Sequence, residues 1–250
     1  MFSQLLIVCS LGFIAAAVDA IAGGGGLISL PALLLIGIPP HLALGTNKFA
    51  ATLGALNSSL TFARSGKVYI PLVKWQIIFT FLGASLGVIS VLHITSDFLN
   101  KVVPVLILFV GLYTLFHKDL GIHSEFKGLT PKSLILGFLF ALALGFYDGF
   151  FGPGTGSFLI FLFITLFGFD FITSSANAKV LNFVSNFVSL ILFAWNGKIL
   201  YTYGIPMAIF MLIGSWVGTK LVLKKGARLV KPIFITISLA VAAKLIYQSF

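Results

Sequence analysis

The chain has 250 residues, 59% of them hydrophobic and only 9% charged, with a mean hydropathy of +1.12 and a net charge of +10. Soluble domains carry about 25% charged residues; a soluble fold of this size could not bury so much apolar surface, so lipid is the solvent for much of it. A single cysteine, Cys9, excludes an intramolecular disulfide and a cysteine-based metal site.

Eight apolar runs have the ~20 residues that cross ~30 Å of hydrocarbon at ~1.5 Å per residue. They are 3–22, 41–63, 71–92, 99–116, 132–151, 172–194, 202–222 and 229–249. No basic stretch precedes the first run, so it reads as a retained membrane segment rather than a signal peptide. Two shorter runs, 27–38 and 155–169, each follow a glycine-rich break. They read as re-entrant half-helices or short tilted spans. The expected fold is therefore an all-α polytopic membrane protein with about eight full spans and two short helices.

The break followed by a short run occurs twice, which points to a duplication. Asp19-Ala-Ile-Ala-Gly23-Gly-Gly25 matches Asp148-Gly-Phe-Phe-Gly152-Pro-Gly154 at an offset of 129. Lys48 then matches Lys179, Gly66-Lys67 matches Gly197-Lys198, and Gly83 to Gly87 matches Gly214 to Gly218, all at an offset of 131. The expected organisation is a first repeat over 1–116, a linker over 117–131 and a second repeat over 132–250.

Lys and Arg mostly occupy the short loops, where they set orientation rather than bind a polyanion such as nucleic acid. If each repeat crosses an odd number of times, one face collects Arg64, Lys67, Lys74, Lys118, Lys127, Lys132, Lys220, Lys224, Lys225, Arg228 and Lys231. The other keeps Lys101, Lys198 and Lys244. Even parity leaves the split nearly level. The asymmetry therefore predicts an inverted repeat, with loops 64–74, 117–132 and 220–231 cytoplasmic.

Three constellations carry candidate chemistry. Gly23, Gly24, Gly25 and Gly26, with Gly152, Gly154, Thr155 and Gly156, would break helices and present backbone N–H groups at the start of the next segment. Together with the helix dipole these make an anion site; the alternative is close helix packing. Asp19, Lys48, Asp148 and Lys179 are charges inside apolar runs, where charges face a cavity or a partner. Asp19 would pair with Lys48 and Asp148 with Lys179, or the pairs would cross. The aspartates serve as coupling groups or as structural ion pairs, and the lysines as substrate or gating groups. Finally, Thr46, Asn47, Thr52, Asn57 and Ser58, and Ser174, Ser175, Asn177, Asn182, Asn186 and Ser189, form polar stripes. Asn182, Asn186 and Ser189 share a helix face with Lys179. Such a stripe would hydrogen-bond an oxyanion or join helices.

No His, Cys, Asp and Glu set has metal-ligand spacing, and there is no phosphate-binding glycine–lysine motif. A catalytic role, a cofactor and a metal are not expected.

Gly23-Gly-Gly-Gly-Leu-Ile-Ser-Leu-Pro31, Ala43-Leu-Gly45-Thr46-Asn47-Lys48 and Gly66-Lys67-Val68 resemble the TauE/SafE family of sulfite exporters and sulfonate permeases. In the second half Gly152-Pro-Gly-Thr-Gly156, Asn177-Ala-Lys179 and Gly197-Lys198 resemble it too. The resemblance covers nearly the whole chain. It implies transport of sulfite, sulfonates or other organic anions across the bacterial inner membrane, and a duplication of four-span units. The charge count instead favours odd parity, and the short runs are where the two counts part. The expected function is a secondary transporter of a small sulfur-containing or organic anion by alternating access. Its partners would be that anion and the bilayer, and a homo-oligomer is compatible with this reading. A passive anion channel and a membrane assembly protein are the alternatives.

Overall fold

The computed structural model describes residues 2–116, 124–126 and 128–225. Among these residues there are nine helices and no strand. They are α1 (Phe2–Ala22), α2 (Gly26–Leu35), α3 (Pro40–Arg64), α4 (Ile70–Leu92), α5 (Ser96–Phe116), α6 (Pro131–Phe150), α7 (Thr155–Phe167), α8 (Phe171–Trp195) and α9 (Tyr201–Lys225). The expected eighth span at 229–249, most of linker 117–131, Lys118, Lys127, Arg228, Lys231 and Lys244 lie outside the described residues.

Five helices, α1, α4, α6, α8 and α9, are long and apolar enough to cross a membrane. α3 is as long as α8 at 25 residues, but Thr46, Asn47, Lys48, Thr52, Ser58 and Ser59 interrupt its apolar character, and all are buried. A polar helix with its polar groups inside the bundle meets lipid only through its other face. The outer faces of α4 and α9 carry exposed Ile78, Phe81, Leu86, Ile209, Ile213 and Trp216, as a lipid-facing surface requires.

Local sequence explains where the helices start and stop. Asp170 caps α8, accepting from the N–H groups of Ile172 at 2.9 Å and Thr173 at 3.0 Å. Thr130 and Ser133 form a reciprocal capping box on α6, with Pro131 in its first turn. The glycines that follow α3 and α8, Gly66 and Gly197, take left-handed φ of 70° and 64°, which lets the chain close each helix end.

The two short helices turn back along their predecessors. A Cβ on Gly25 would strike the Ala15 carbonyl and the Asp19 Cβ, and beyond α2 the Ile36 carbonyl accepts from Gln4 Nε2 at 3.5 Å. α2 thus returns toward the start of α1. Likewise the Phe167 ring at the end of α7 lies against Gly137 in the first half of α6. At ~1.5 Å per residue these helices span about 15–20 Å, too short to cross ~30 Å of hydrocarbon.

The main helix packing runs between the halves of the chain. Gly83 and Gly87 of α4 press against the Leu142 and Phe146 carbonyls of α6, while Gly214 and Gly218 of α9 press against the Phe13 and Ala17 carbonyls of α1. Small residues at four-residue spacing allow such backbone approach, where van der Waals contact replaces the hydrophobic drive that lipid removes. In both pairs the helices run in the same direction.

Candidate functional site

Asp19 sits one turn before the end of α1, and Asp148 two residues before the end of α6, so each lies beside a glycine break. Lys48 stands a third of the way along α3 and Lys179 a third of the way along α8. The ion pairs cross: Lys48 Nζ is 2.9 Å from Asp148, and Lys179 Nζ is 2.6 Å from Asp19. Of the two arrangements open in the sequence, the structure holds the one that ties the first half to the second.

The pairs differ in access. The Lys48 and Asp148 side chains are each 2% exposed. Lys179 is fully buried, whereas the Asp19 side chain is 25% exposed. They also differ in their remaining partners. Asp19 Oδ1 accepts from the backbone N–H of Gly25, at the start of α2, at 3.2 Å. The other oxygen of Asp148 accepts from the Ser185 hydroxyl of α8. In a low-dielectric interior each charge needs such company, because desolvation of an unpaired ion costs several kcal/mol or more.

The breaks themselves touch. A Cβ on Gly23 would collide with the Gly156 backbone, and one on Gly156 with Gly23. The Ser157 N–H donates to the Gly23 carbonyl at 3.1 Å, and the Ser157 hydroxyl to the Ala22 carbonyl at 2.6 Å. Gly23 and Gly154 have φ of 77° and 84°, a left-handed conformation that other residues rarely adopt.

Around this junction lies a cavity of about 40 Å³, room for a few waters or a small ion. Gly23, Gly25 and Gly26 line it from one break, and Gly152, Gly154 and Gly156 from the other. Asp19, Asn47, Lys48, Asp148, Asn182 and Asn186 complete its polar wall. Asn47 is 5% exposed and its side-chain oxygen has no partner.

Five expected site residues lie off this cavity. Gly24 belongs to the break but does not line it. The Thr155 hydroxyl is spent on the Gly152 carbonyl at 2.7 Å. Asn57 donates to Ser215 of α9 at 3.0 Å and joins helices. Asn177 Oδ1 accepts from the Tyr69 N–H at 2.8 Å, closing the start of α4. Lys179 is held behind Asp19, which reaches the cavity when the lysine does not. Sequence reasoning missed Ser29, which lines the cavity, and Ser185, which holds Asp148. Ser185 lies three residues past Asn182, a spacing that puts it close to the recognised polar face.

The Asn177 bond has a counterpart. Thr46 Oγ1 of α3 accepts from the Leu200 N–H, just before α9, at 2.9 Å. Thr46 and Asn177, and Tyr69 and Leu200, are related by the same offset of 131 that relates the lysines.

Comparison with known proteins gives a consistent result. A family model described as sulfite exporter TauE/SafE matches residues 8–245. A probable membrane transporter protein of Haemophilus influenzae is 44% identical over 98% of this chain and 95% of its own length. The probable membrane transporter protein YfcA of Escherichia coli K12 is 38% identical over 93% of this chain and 86% of its own. A probable membrane transporter protein of Sinorhizobium is 37% identical over 94% and 89%. No solved structure matches the chain.

Proposed function

Since the chain belongs to the TauE/SafE family of membrane transporters, we propose that it is a secondary transporter. On this reading it carries a small sulfur-containing or organic anion, such as sulfite or a sulfonate, across the bacterial inner membrane by alternating access. The observation that carries the reading is the cavity where both glycine breaks meet, walled by residues from each half of the chain. Broken helices in corresponding positions of two halves mark the central site of many transporters. Helix starts and Lys48 around a small cavity suit an oxyanion. Asn47, Asn182 and Asn186 would supply hydrogen bonds to it, with Lys48 at its edge.

Alternating access is supported by the repeat geometry. The end of α4 lies by the start of α3, since His41 bonds the Val91 carbonyl at 3.0 Å. α6 runs alongside α4 in the same direction, so α1 and α6 start from opposite ends of the bundle. On this reading α1, though long enough to cross, pairs with α2 so that the chain returns to the end where it started, and α3, α4 and α5 are counted as three crossings, an odd number. That supports an inverted repeat with halves at 1–116 and 132–250. Arg64, Lys67, Lys220 and Lys224 fall at one end, where Phe62, Ile172 and Val222 cluster. The positive-inside rule makes that end cytoplasmic.

The test is flux of labelled sulfite into proteoliposomes, with and without a pH gradient, against competing sulfonates and carboxylates. Saturable uptake is expected, lost in Lys48→Ala and Lys179→Ala. If both variants transport like the parent, the site is misassigned. Current that does not saturate with anion concentration would indicate a passive channel, and no flux from folded protein would remove the anion reading.

A further inference from the structure

The two ion pairs correspond in sequence, but only one is built to open. Asp148 is sealed at 2% exposure and held on both oxygens by side chains, Lys48 and Ser185. Asp19 faces the cavity at 25% exposure. One of its oxygens accepts from the Gly25 N–H at the start of α2, and the other from Lys179. A helix start and a buried lysine are the two groups that would receive a small oxyanion. Asp19 already occupies that position.

We infer that Asp19 is a tethered anion, a carboxylate that fills the substrate's place when ionised and yields it when protonated. The inference rests on the anion reading above and assigns its coupling ion. Lys179 is fully buried, so it cannot be left without a counter-charge. Either the Asp19 carboxylate or the bound anion supplies it. When the anion enters, Asp19 takes up one proton from the same solution that the anion leaves, and the net charge of the site is unchanged. A singly charged anion therefore travels with one proton, and transport is electroneutral. The ionisable groups around Asp19 are Lys179 from α8 and, across the cavity, Lys48 from α3 and Asp148 from α6; α2, α7 and α9 present backbone, Ser29 and Met211 to the cavity and no ionisable side chain.

The experiment is calorimetric titration of the purified full-length protein in nanodiscs with ethanesulfonate and, in parallel, sulfite. Ethanesulfonate keeps one charge across the pH range, so any proton taken up belongs to the protein. Titration in two buffers of different ionisation enthalpy counts the protons. About one proton per ethanesulfonate is expected, with affinity falling up to about tenfold per pH unit on the alkaline side. In Asp19→Asn both effects should vanish, while Asp170→Asn, at the cap of α8, should keep them. Should Asp19→Asn fail to fold because it strands Lys179, the double variant Asp19→Asn/Lys179→Gln removes that charge, and the parent's proton count still decides. Binding with no proton uptake in the parent, or linkage that survives in Asp19→Asn, overturns the tethered anion and leaves the anion site standing. No binding of either probe by folded protein overturns both.

Discussion

Asp148 on α6 holds Lys48 on α3 at 2.9 Å, with both side chains almost wholly shielded from water. This bond joins the first half of the chain to the second. Its removal from one side leaves an uncompensated charge. Asp148→Ala should therefore cost about 3–5 kcal/mol, read as a fall in thermal midpoint of the detergent-purified protein. Reversing the pair, Lys48→Asp with Asp148→Lys, should recover part of that loss. A reversed double variant no more stable than the single one would show that the surroundings, not the pairing, set the cost.

The corresponding bonds Thr46–Leu200 and Asn177–Tyr69 should matter about equally. Each side chain satisfies a backbone N–H at the start of a membrane helix. Thr46→Val and Asn177→Leu should each lower stability by about 1–2 kcal/mol. Urea or thermal unfolding of both variants measures it. A large loss at one position with none at the other would contradict the equivalence.

Asn57 and Asn186 separate joining from binding. Asn57 is committed to Ser215, and Asn186 lines the cavity. Asn57→Leu should cost about 1 kcal/mol of stability and leave sulfite uptake by the folded fraction near that of the parent. Asn186→Leu should cut uptake at least tenfold. Equal effects of the two changes on uptake would count against the cavity as the site.

Topology is open to direct labelling. Cys9 is buried, so new cysteines can be read against a quiet background. Ser65→Cys and Ser124→Cys should react with a membrane-impermeant maleimide only from the cytoplasm, and Thr95→Cys and Asn196→Cys only from outside. All four positions are exposed. Labelling of Ser65 and Asn196 from the same side would break the inverted arrangement.

Much of the fold was legible because lipid demands long apolar runs and glycine punctuates them. The runs 41–63 and 172–194 became α3 and α8 within a few residues, and the offset of 131 reappears in the bonds of Thr46 and Asn177. Pairing was not legible. Sequence spacing places Asp19 and Lys48 in one half, and only the packing of α4 on α6 and α9 on α1 carries each aspartate to the other half's lysine. Asn177 and Asn57 read as binding groups because a polar residue in a helix shows its type but not its neighbour. Asn177 faces the start of α4 and Asn57 faces Ser215. Ser185 carried only its closeness to the polar face of α8, since a serine between two asparagines says nothing about a carboxylate that arrives from another helix.

The exchange of helices between halves has a consequence for how the protein is made. Gly214 packs on Phe13, about 200 residues earlier, and at ~5–20 residues per second the ribosome needs about 10–40 s to supply it. For most of that interval α1 sits in the insertion machinery or the bilayer with its packing face uncovered, and Asp19 waits for Lys179. The nascent first half is thus an unfinished object that an insertase must shelter, and its maturation is timed by the last helices to emerge.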